Sequence, residues 1–242
     1  MKKLLTKSLI LTSIVTLMPT TVNANAPKTG IYIGAAVGGA ALTGKSNLNI
    51  NRNAVPFGGV TPQNFNLTIS DKNVSGDIFL GYGKRFNCFW AGLEALASFT
   101  SLNSKSNVDI TPEIAAANGQ SLSVKSTFGW GGNLNLGYYI NQATKLYLKL
   151  GVESRRFRVN FNGAINADPT ILNLNKSYNS TAFVPGLGME TDLTPRLSLR
   201  AEYRTALHPA KTVQVSNSVT QSTIIKTRPT VHLFNLGLTF KI

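Results

Sequence analysis

Charged residues recur at every second or fourth position in several stretches. Lys149 and Glu153 stand four apart, Arg200, Glu202 and Arg204 alternate with Ala201 and Tyr203, and Glu94 and Glu190 interrupt runs of glycine and apolar residues. Side chains two apart on an extended chain share a face, so this spacing gathers carboxylates and cations on one side of a sheet. Acid–base catalysis there needs a nucleophile with a base, or a carboxylate with a histidine, in mutual reach. The two histidines, His208 and His232, have neither a spaced serine after them nor a cluster of acids beside them. Cys88 is the one cysteine, so an intrachain disulfide and a cysteine metal site are both excluded. No phosphate-binding glycine loop or metal-ligand spacing occurs, so no cofactor is expected. The charges read better as a network that must be paired because burying them is costly. Alternative pairings could also open a narrow path for ions.

The elements that position these residues are strands. From residue 29 onward, apolar residues alternate with polar or glycine ones, the two-residue period of an extended chain. Between Val124 and Ile140 one parity carries Phe128, Trp130, Leu134, Leu136 and Tyr138, and the other carries Lys125, Thr127, Asn133, Asn135 and glycines. Seventeen residues of one pattern far exceed an ordinary soluble strand and suit a membrane crossing. The pattern recurs around Ile31–Val37, Val74–Tyr82, Phe89–Phe99, Leu146–Val152, Phe183–Met189, Leu197–Tyr203 and Phe234–Ile242, giving eight strands. Pro185 cannot donate to a ladder and predicts a bulge or a place near the strand's outer half. Gly34, Gly38 and Gly39 are expected to make room for large interior side chains. Trp90, Trp130, Tyr138, Tyr139 and Phe86 are candidates for interfacial girdles or for interior packing.

Connections alternate in length. Tight turns fall at Phe86–Cys88, Asn141–Thr144 and Leu193–Pro195, and long connections near 41–72, 101–123, 160–178 and 207–227. Alternation within the long ones, at Phe65, Leu67, Ile69, Val213 and Val215, predicts strands that continue above the membrane. The expected fold is all-β: an eight-stranded antiparallel transmembrane β-barrel with short periplasmic turns and four long external loops. A soluble sandwich or lipocalin-like barrel also alternates, but its second face would not carry so many charges.

Residues 1–26 read as a signal peptide for Sec export, with Lys2, Lys3 and Lys7, an apolar stretch from Leu9 to Met18, and small residues at Ala24-Asn25-Ala26. Residues 27–242 form the barrel domain. Losing the three lysines lowers the net charge from +14 to +11, which favours acidic partners. Lys45, Arg52, Lys72, Lys105, Arg156, Arg158, Lys176, Lys211, Lys226 and Arg228 make the external loops basic. Lipopolysaccharide and anionic surface glycans of a host fit such loops, and export argues against nucleic acid.

The last residues, Asn235-Leu236-Gly237-Leu238-Thr239-Phe240-Lys241-Ile242, resemble the C-terminal signal read by the barrel assembly machinery: polar Asn235, then Gly237, aromatic Phe240 and a hydrophobic end at Ile242. Such families usually end in Phe, so Ile242 is a departure. Gly186–Glu190, Leu193-Thr194-Pro195 and Leu197–Arg204 resemble the sixth and seventh strands of OmpA-like and opacity-type porin-family barrels of Gram-negative outer membranes. The resemblance implies a surface antigen or adhesin. Eight strands enclose an interior wide enough only for side chains, so a structural or surface-interaction role is expected, ahead of a narrow or gated porin and of a barrel enzyme acting on lipid A.

Overall fold

A computed structural model describes residues 29–52, 63–107, 121–164, 171–218 and 221–242. The proposed signal peptide lies outside them. Nine strands follow in order: β1 (Gly30–Arg52), β2 (Gln63–Phe86), β3 (Phe89–Asn107), β4 (Ser121–Tyr139), β5 (Thr144–Ala164), β6 (Ile171–Asp192), β7 (Leu197–Leu207), β8 (Lys211–Ser218) and β9 (Gln221–Lys241). Every pairing is antiparallel between sequence neighbours, except that β7 and β8 both pair with β9, as two pieces of one barrel strand. β9 returns to β1, from Tyr32 opposite Lys241 to Arg52 opposite Gln221, and closes a ring of eight. Closure leaves the membrane part without unpaired backbone edges, which lipid does not tolerate.

The three short turns fall where the spacing predicts. Thr144 and Leu197 close two of them by accepting backbone bonds from Ile140 and Leu193, at 3.0 and 2.8 Å. Asn87, in the third, has a φ of 54°, a left-handed conformation that asparagine tolerates better than most residues.

The strands run well beyond a bilayer, and their pattern inverts as they leave it. On β5, Leu146, Leu148, Leu150 and Val152 face outward, but higher up Phe157 and Val159 are buried inside while Arg156 and Arg158 face out. On β1, Ile31, Ile33 and Val37 face outward, whereas Ala40 and Leu42 face in. Where lipid surrounds the wall the apolar face turns out; where water surrounds it the apolar face turns in. The upper interior is therefore an ordinary hydrophobic core, with Leu42, Ile69, Leu102, Leu122, Phe157, Val159, Ile225 and Leu233 in one cluster.

Two expectations need correction. β4 is not one uninterrupted face, because its register against β5 shifts between Ser126 and Gly129. Thr127 and Phe128 both point outward at this bulge, so Val124 and Ser126 lie inside instead of continuing the face of Trp130. Pro185 sits opposite Leu150 with no register shift; the β6–β7 ladder merely skips Val184 and Pro185 between Phe183–Leu207 and Gly186–Arg204.

Candidate functional site

The lumen holds the charges that parity assigned to it. Glu94, Lys149, Glu153, Glu190, Arg200, Glu202 and Arg204 are all buried. Asp77, Lys145, Arg155, Asp192 and Lys241 join them. Asp77 and Arg155 share the lumenal parity of their own strands and were legible on that ground. Lys145, Asp192 and Lys241 stand at strand ends beside the turns, where alternation decides little.

Next to the short turns, Lys145 pairs with Glu190 at 3.0 Å and lies 3.7 Å from the centre of the Trp90 ring, while Lys241 and Ser198 both donate to Asp192. Above them Lys149 bridges Glu94 and Glu202, at 2.8 Å to each, and Arg200 reaches the same two carboxylates at 2.7 and 2.8 Å. Tyr147 donates to Glu202 at 2.9 Å and accepts from Arg200 at 2.5 Å. Higher still, Arg204 grips Asp77 with two bonds of 2.6 and 3.0 Å, and Asn235 donates to the same carboxylate. Arg155 donates to Glu153, Thr100 and Ser98, at 2.8, 2.7 and 3.2 Å.

Large rings fill the remaining space over glycines. Added Cβ atoms at Gly83 and Gly92 would strike the Trp90 ring, and one at Gly188 the Tyr147 ring. Gly34 and Gly38 make room in the same way for Phe79 and Asn235, whereas Gly39 points outward and meets nothing. Trp90 and Tyr139 are interior packing, while Trp130, Tyr138 and Phe86 face outward. Spaces of about 20 Å³ beside Trp90 and Lys145 and about 10 Å³ beside Lys149 and Arg204 remain, room for roughly one water each.

Six carboxylates thus meet six cations in the lumen. The chain has 10 acids and 24 Lys and Arg. Among the described residues these buried charges balance; Arg85, half-buried over the Tyr139 ring beside the turns, is a further cation there, and most of the other described Lys and Arg lie on the outer wall.

Lys45 lies on β1, Lys72 on β2, Lys105 on β3, Arg156 and Arg158 on β5, Lys176 on β6, Lys211 on β8 and Lys226 and Arg228 on β9; these residues are on strand extensions, not in loops. Arg52 ends β1, and its side chain lies outside the described residues. His208 is buried edge-on to Phe157, ring centres 4.8 Å apart, next to lipid-facing Leu207. Burial pushes its pKa down to about 4. His232 faces outward, with Nδ1 2.9 Å from the Tyr203 hydroxyl and Nε2 3.3 Å from Thr43. The two histidines stand on opposite sides of the wall and share no site. Among the described residues no group of three His, Cys, Asp or Glu could hold a metal ion.

In the C-terminal segment Asn235 points into the lumen, Gly237 lies close against Ala36, Phe240 faces outward, and the Ile242 amide donates to Ile31 at 3.0 Å.

Among solved structures the fold is similar to the outer membrane protein OprG from Pseudomonas aeruginosa, at TM-score 0.52 and 18% identity over 91% of this chain and 100% of that one. Neisserial surface protein A gives 0.41 and 14% over 88% and 97%, and Ail, the attachment invasion locus protein of Yersinia pestis, 0.31 and 11% over 84% and 99%. Comparison with curated proteins gives no significant match. A family model described as outer membrane protein beta-barrel domain matches residues 8–241. With its closed ring, outward apolar band and filled lumen, the chain belongs to that family of bacterial outer-membrane barrels.

Proposed function

We propose that this barrel is non-enzymatic and works through its outside, as a structural and surface-interaction protein with an adhesin-like basic exterior, and that it passes no solute. The segregation of charge carries this reading. Six acids and six cations neutralise one another in the lumen beneath an apolar core, leaving a strongly basic exterior free to meet anionic surface glycans. In the same reading the chain leaves the cytoplasm by the Sec route with cleavage after Ala26, and Asn235, Gly237, Phe240 and Ile242 present it to the assembly machinery.

The test is retention of refolded protein on a sulfated polysaccharide matrix and on its desulfated counterpart. Retention on the sulfated matrix alone, lost as salt screens the charges, supports the reading. Equal retention on both, or none, contradicts it. A narrow gated pore is the second reading, favoured by Glu202, which lies within 3.4 Å of Lys149, Arg200 and Arg204 and so has alternative partners ready.

A further inference from the structure

On the outer wall just above the apolar band, β4 and β5 carry a cluster of cations that the fold itself does not explain. Lys125 stands directly opposite Arg158 in the ladder, and Arg156 lies two residues away on the same face. All three are exposed, and among the described residues none makes an ion pair. The remaining described carboxylate, Asp71, stands opposite inward-facing Leu42 and accepts from the Asn103 backbone at 2.6 Å. Side chains directly opposite in a ladder have Cβ atoms only about 5 Å apart, and like charges there are destabilising. Arg156 adds a third cation within about 7 Å, the repeat of one strand face.

Immediately below, Trp130 is 61% exposed and Phe128 40%. A groove of about 460 Å³ runs between these rings and Arg156, edged by Ser154, Ser177 and Asn179. Phe128 keeps the outward parity of Trp130, and the β4 bulge above it brings Lys125 onto the same outer face as these rings.

We infer that Lys125, Arg156 and Arg158 form a binding site for the phosphorylated headgroup of an outer-leaflet glycolipid of the lipopolysaccharide type, with Trp130 and Phe128 against its sugar and upper acyl carbons. A phosphate accepts several charge-assisted bonds at once and relieves the repulsion between Lys125 and Arg158. The exposed rings beneath the cations select a lipid over a soluble anion. Lys45 opposite Arg228 is a second like-charge pair on the wall, but the pair beneath it, Thr43 opposite Thr230, offers no ring to hold a sugar and acyl chain. The inference rests on the outer-membrane reading but not on adhesion, because glycan retention can fail while lipid binding persists.

The test is native mass spectrometry of the whole protein in mild detergent with diphosphorylated lipid A, its dephosphorylated form, and the phosphorylated disaccharide without acyl chains. The wild type is expected to hold diphosphorylated lipid A at least about tenfold more tightly than either other probe, the effect of losing one charged contact. Lys125→Gln/Arg156→Gln/Arg158→Gln is expected to lose that preference and Lys45→Gln/Arg228→Gln to keep it. Arg158→Glu guards against a folding artefact, since it replaces repulsion from Lys125 with attraction and should bind poorly while unfolding no more easily than the wild type. Unchanged binding in the triple variant, equal binding of the dephosphorylated lipid or of the bare headgroup, or equal loss in Lys45→Gln/Arg228→Gln overturns the inference.

Discussion

Arg204 carries the most connected interaction in the lumen, with both Asp77 oxygens, Glu202 and Ser98 in reach. Removing one partner of a buried pair leaves a charge without compensation, which costs roughly 3–5 kcal/mol. Arg204→Met is therefore expected to lower unfolding stability by that order in urea titrations followed by tryptophan fluorescence in lipid vesicles. Adding Asp77→Asn should recover part of the loss, because a neutral amide needs no counter-charge. His208 acts in the opposite direction. Its pKa falls from an unfolded value near 6.5 to about 4 on burial, so the unfolded chain binds the extra proton. Its contribution is complete above about pH 6.5 and is lost as pH falls toward about 4. Wild type minus His208→Gln, compared by midpoint at neutral pH and near about pH 5, should isolate this loss; equal acid sensitivity in both would exclude it. Parity alone placed Glu94, Lys149 and Arg200 inside. It could not show that His208 is buried, because the chain beyond Leu207 leaves the ladder.

At the scale of the element, β4 shows where alternation misleads. Val124 and Ser126 keep the parity of Trp130, and nothing in the types of Thr127 and Phe128 marks the bulge that separates them. Because the bulge carries Leu122 and Val124 into the upper core, Leu122→Ser/Val124→Ser is expected to be strongly destabilising. Losing two buried aliphatic side chains costs about 1.5–3 kcal/mol each, so the double substitution should lower the temperature at which the folded, fast-migrating gel species disappears. An unchanged temperature would mean that the two side chains face outward with Trp130, as unbroken alternation would place them. The upper strands were only half legible. Stretches around 41–72 and 160–178 are rich in Asn, Ser, Thr and Lys and read as loops, yet their inward positions include Leu42, Ile69 and Tyr178. Alternation survives there, but its apolar face changes sides because water replaces lipid outside.

The whole molecule divides its charge between inside and outside. Strand number, closure and turn placement were legible because a membrane wall enforces strict alternation over long stretches. The filling of the lumen was legible in kind, since eight strands leave space only for side chains, but not in arrangement, which depends on rings such as Trp90 and Tyr147 lying over glycines of neighbouring strands. The central claim is that the barrel is blocked along its length by a neutral charge network beneath an apolar core. Current through planar bilayers containing folded, heat-modifiable protein in concentrated potassium chloride tests it most directly. A flat trace, unchanged under applied voltage, is the predicted result; steady single-channel steps that vanish when Lys149 and Arg204 are neutralised would contradict it.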